Sequence, residues 1–64
     1  MADYTFENHG SIWLVHPEST DASSHLEASV STEAQWFGGS LAVEPRYVES
    51  LAGSLENDGY TVEF

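Results

Sequence analysis

Lysine and cysteine are both missing from this 64-residue chain, and Arg46 is the single cation set against eleven acidic residues, for a net charge of -10. Gripping phosphates takes clustered Lys and Arg, so direct nucleic-acid binding is excluded. Without cysteine there is no disulfide framework and no Cys-ligated zinc or iron–sulfur site. No apolar run approaches the roughly 20 residues of a membrane span, and Met1-Ala2-Asp3 lacks the basic start of a signal peptide. A soluble chain in the cytoplasm, with no membrane partner, is therefore expected. Gly38-Gly39 is not followed by the Lys of a phosphate loop, and no serine lies in a G-x-S-x-G elbow.

What the chain does contain argues for a fold. Hydrophobic residues make up 41% and aromatics 12%, too many for a solvated acidic tail. At this length one domain over residues 1–64 with one small core is the upper limit. Tyr4 and Phe6 alternate with Thr5 and Glu7, Asn8-His9-Gly10 supplies a turn, and Ser11 to Val15 resumes as a β-rich run closed by His16-Pro17. Ser19, Thr20 and Asp21 are three consecutive N-cap candidates, and Ala22, Leu26 and Val30 form a helical stripe behind them, predicting a short helix over about residues 20–30. Ala34 to Phe37 and Ser40 to Glu44 flank Gly38-Gly39 as a second hairpin. Pro45 suits the first turn of a longer helix whose face is Tyr47, Val48, Leu51, Ala52 and Leu55, and Gly59 stops it before a last strand through Tyr60, Val62 and Phe64.

The order β-β-α-β-β-α-β predicts an α+β domain, a mainly antiparallel sheet with two helices on one face. Its expected core is Phe6, Ile12, Leu14, Leu26, Val30, Leu41, Val43, Val48, Leu51, Leu55, Tyr60 and Val62, joined by Trp36 or Phe37. Strand alternation then puts Trp13 and Val15 on the opposite, partly exposed face, where Trp13 is a candidate aromatic anchor for a partner or packs against a terminus.

Chemistry is sparse. His9, His16 and His25 are spaced seven and nine apart, outside the short-range zinc patterns, and a small hydrolase or metal enzyme is the least supported class. No enzymatic activity, metal or cofactor is expected. Arg46 lies three residues before Glu49, the spacing of a helix-surface ion pair. What stands out is the acidic charge distributed over every predicted element. Glu49 and Glu56 are seven residues apart, about 10 Å along one helix face, and Asp58 extends that edge. Glu7, Glu44 and Glu63, with Glu33, are candidates to continue the stripe across neighbouring strands if they share a face.

Asn8-His9-Gly10-Ser11-Ile12, Gly38-Gly39-Ser40-Leu41-Ala42-Val43-Glu44-Pro45-Arg46-Tyr47 and Asp58-Gly59-Tyr60-Thr61-Val62 together resemble a family of small acidic proteins of phages and mobile elements. In size and charge the whole chain is similar to the anti-CRISPR proteins, type I-C inhibitors among them. The resemblance implies a stoichiometric inhibitor, a DNA mimic that occupies the positively charged surface of a CRISPR surveillance complex, and it carries over no catalytic residue. Partner contacts would then fall on Glu49, Glu56 and Asp58 first, followed by Glu7, Glu44, Glu63 and Trp13. The alternative expectation is an acidic interaction module, halophile-type or housekeeping, whose negative surface serves solubility without mimicry.

Overall fold

The computed structural model describes residues 2–30 and 34–64. Its elements are β1 (Tyr4–Asn8), β2 (Trp13–Pro17), α1 (Thr20–Ser29), β3 (Gln35–Phe37), β4 (Ser40–Val43), α2 (Pro45–Asn57) and β5 (Val62–Glu63), the order read from the sequence. The five strands form one sheet in the order β3-β4-β2-β1-β5. Three pairings are antiparallel and the β1–β5 pairing is parallel, so the α+β class holds with a mixed sheet.

Local chemistry explains the helix ends. Of the three N-cap candidates Ser19 takes the role: its backbone is extended and its hydroxyl accepts the Ala22 amide at 3.0 Å. Asp21 sits in the first turn of α1, where the helix dipole favours an anion. Pro45 opens α2, its missing N–H costing nothing there. At the other end the Gly59 amide bonds the Glu56 carbonyl at 3.0 Å and the Tyr60 amide bonds the Leu55 carbonyl at 3.1 Å, the paired bonds of a Schellman ending. Gly59 has φ +96, a left-handed backbone that a side chain would strain.

The core is Tyr4, Phe6, Val15, Ala22, Leu26, Leu41, Val48, Ala52 and Leu55. Register sets which strand residues join it. Phe6 lies opposite Val15, Val15 opposite Leu41, and Tyr4 beside Val62, so these side chains share the face that α1 and α2 cover. The expected assignment for β2 is thus inverted: Val15 is 0% exposed, while Leu14, opposite Glu7 and Ala42, lies half-buried on the open face. Ile12 precedes the strand and is also only half-buried. The cause is the run Ile12-Trp13-Leu14-Val15, apolar on both faces, whose phase comes from its neighbours and not from its own pattern. Trp13 falls on the covered side, packed on the core, with its ring 6.1 Å from Phe64 in an edge contact. In the second hairpin Trp36 packs against the core and Phe37 is 59% exposed.

Tyr4, absent from the expected core, is its most informative member. It is fully buried, its ring meets Tyr60 edge-on at 5.5 Å, and its hydroxyl donates to the Ala22 carbonyl at 2.7 Å, tying β1 to α1. Burial, aided by Tyr60 and the nearby Asp3, Asp21 and Asp58 carboxylates, pushes its phenol up from 10 to about 12. A raised phenol favours the protonated fold, so its stabilising effect is complete below pH 10 and is lost as pH rises towards 12. Absorbance at the phenolate band and far-UV circular dichroism, followed together, should show Tyr4 ionising along with alkaline unfolding. Tyr4→Phe should lower stability by about 1 kcal/mol, read as a fall in melting temperature of roughly 4–8 °C.

Candidate functional site

Three regions carry the polar side chains. On the outside of α2, Glu49 and Glu56 are exposed on one flank, separated by seven residues, an axial rise of about 10 Å. Glu44 caps the start of α2 through its backbone and Asp58 caps its end, both exposed, so carboxylates lie along the whole helix. Arg46 does not pair with Glu49. Its Nε lies 3.3 Å from Glu44 and its guanidinium 4.9 Å from the Tyr47 ring centre, because the N-cap residue and the adjacent ring are nearer than the next turn.

The second region is the open face of the sheet. Glu63 pairs with Thr5 in the parallel register and therefore shares a face with Glu7, as the stripe requires. Thr5 donates to Glu18 at 2.7 Å, and Glu18, Glu63 and Thr5 line one shallow depression. Further along, Glu7 Oε1 lies 2.6 Å from His9 Nε2 and 3.3 Å from His16 Nε2, while His16 Nδ1 meets the Ser40 hydroxyl. These side chains connect β1, β2 and β4 across the sheet. The two hydrogen bonds hold Glu7 below the usual carboxylate range. Serine, histidine and glutamate in sequence have the composition of a nucleophile relay, but here they stand on an open sheet surface and act as cross-strand ties.

The third region joins the helices at one end. His25 of α1 lies 2.9 Å from Asp58 at the end of α2 and stacks on Tyr60 with ring centres 4.6 Å apart. The Tyr60 hydroxyl donates to Asp21 at 3.5 Å, and desolvation followed by the Asp21 carboxylate raises its phenol. His25 is therefore remote in role from His9 and His16. Among the described residues no group of three or more His, Asp or Glu is placed to hold a metal.

The candidates thus divide. Glu44, Glu49, Glu56 and Asp58 run along α2, Glu7 and Glu63 lie on the far side of the sheet, Trp13 is packed with Phe64, and Glu33 lies outside the described residues. The Glu7–His16 and His25–Asp58 pairs escaped sequence reading because their partners lie 9 and 33 positions apart, in different parts of the fold. Only the alternation of Glu7 with His9 hinted at one. Comparison of the chain with family models, with curated proteins and with solved structures finds no match.

The depressed Glu7 carboxyl has a definite pH signature. A lowered folded value contributes stability above the ordinary 4.5, and that contribution disappears as pH falls below it. Glu7→Gln should therefore be less stable than the parent near pH 6, and chemical denaturation of the two should converge near pH 3.

Proposed function

We propose that this protein is a non-enzymatic binding module that presents the carboxylates of α2 to a positively charged protein surface built for nucleic acid, competing with that nucleic acid for it. The observation that carries the reading is the pair Glu49 and Glu56 exposed on one flank of α2, with Glu44 and Asp58 at its two caps, in a chain whose only Lys or Arg is Arg46. The rise of about 10 Å between Glu49 and Glu56 fixes the separation of two carboxylates on one face of the helix. Charges fixed on a folded helix need no ordering when they dock, which favours them over a flexible acidic tail. The resemblance of the turn segments to small phage and mobile-element proteins directs this reading to a CRISPR surveillance complex, in the host cytoplasm, as the partner.

A second reading draws on the open sheet face. Glu7, Glu18 and Glu63 are exposed on the side facing away from α2, so acidic groups surround the protein. That distribution favours an acidic module suited to high salt, in which screening relieves self-repulsion.

Two measurements separate these. Reversal of Glu49→Lys together with Glu56→Lys should weaken binding to the surveillance complex by about tenfold or more, with binding by the parent falling steeply with added salt. Glu18→Lys with Glu63→Lys should have little effect, and both pairs should leave the melting temperature near the parent's. Equal binding by all variants would reject the mimicry reading. In the high-salt reading the parent's melting temperature climbs strongly up to molar salt and no reversal on α2 changes any partner.

A further inference from the structure

α1 and α2 are joined at one end and part at the other. His25, Asp58 and Tyr60 hold the closed end, whereas among the described residues Val30, at the C-cap of α1, and Tyr47 and Leu51 of α2 line an open groove of about 880 Å³ over Leu41 and Val43. This lies near the top of the roughly 300–1,000 Å³ range of ligand sites, in a protein whose whole accessible surface is 4152 Å². Tyr47 stands at the lip, 51% exposed, with Arg46 over its ring. Around 100° per residue, Tyr47 and Leu51 project from the flank of α2 opposite Glu49 and Glu56, so the groove lies away from that pair, and Glu44 is the one acid among the described residues of its lining.

We infer that this groove receives an amphipathic basic helix of a partner protein, its apolar stripe seated on Leu41, Val43, Tyr47 and Leu51 and its Lys and Arg side chains drawn by Glu44 in the lining and by the net charge of -10. Charge selects the occupant. The chain carries -10, so an acidic partner is repelled, and a second copy would bring another -10 into contact. A helix also satisfies its own backbone hydrogen bonds, which an apolar groove cannot do for it, and offers side chains at i, i+3, i+4 and i+7 to a cleft of this shape.

The test uses a synthetic peptide of about 16 residues, with Leu at that spacing and Lys elsewhere, titrated into the whole protein at about 0.5 M salt to suppress binding by charge alone. Nuclear magnetic resonance should show one-to-one binding with shifts at Val30, Val43, Tyr47 and Leu51. A scrambled peptide of the same composition should bind at least about tenfold more weakly. Tyr47→Glu should also weaken binding about tenfold or more, although it adds a negative charge that would strengthen a merely electrostatic complex. Because Tyr47 is exposed, that variant should melt like the parent. Glu49→Lys with Glu56→Lys should bind the peptide as the parent does, which separates failure here from failure of the carboxylate reading. Equal affinity for the scrambled peptide, shifts confined to the Glu49 and Glu56 flank, or sedimentation showing a dimer through the groove would overturn the inference.

Discussion

The side-chain hydroxyl of Tyr4 fixes where this sheet begins. By donating to the Ala22 carbonyl at 2.7 Å it commits one face of β1 to the helices. Pairing carries that commitment outward: Phe6 follows Tyr4, Val15 lies opposite Phe6, Leu41 opposite Val15, and Val62 beside Tyr4. The same alternation sends Thr5, Glu7, His16 and Glu63 to the other face. A core confined to one side is also what the charge demands, since no described acidic or basic residue is buried and each carboxylate needs either water or a polar partner.

Acidic groups are distributed by two different rules. On the sheet they are tied: Glu7 to His9 and His16, Glu18 to Thr5. Along α2, Glu49 and Glu56 stand exposed on an unobstructed flank. At the end of α2 the arrangement runs against the helix dipole, for Asp58 stands where a cation is favoured. His25 is positioned to offset this, and in doing so it pins the two helices together at that end.

Helix boundaries were legible in the sequence because they are decided within a few residues: within a helix Pro45 fits only the first turn, Gly59 can take the left-handed backbone, and Ser19 can cap. Gly38, with φ +62, made the second hairpin legible for the same reason. The phase of β2 was not legible, since four consecutive apolar residues fit either face and the choice rests with Phe6 and Leu41, distant in sequence. Tyr4 was not legible as a core residue, because the acceptor that lets its hydroxyl be buried lies 18 residues away. The acids of α2 could be placed on their flank from helical spacing, whereas the opposition of Glu7 and Glu63 to that flank required knowing that β5 runs parallel to β1.

That parallel rung joins the two extremes of the described chain. Asp3 and Thr61, 58 positions apart, exchange backbone and side-chain hydrogen bonds, and only beyond them can Val62 settle beside Tyr4. The first strand must therefore wait for Val62 and Glu63 to be synthesised before its outer edge is covered. Closing so long a loop makes this edge slow to assemble, and no fragment ending before Thr61 retains the rung that seals it.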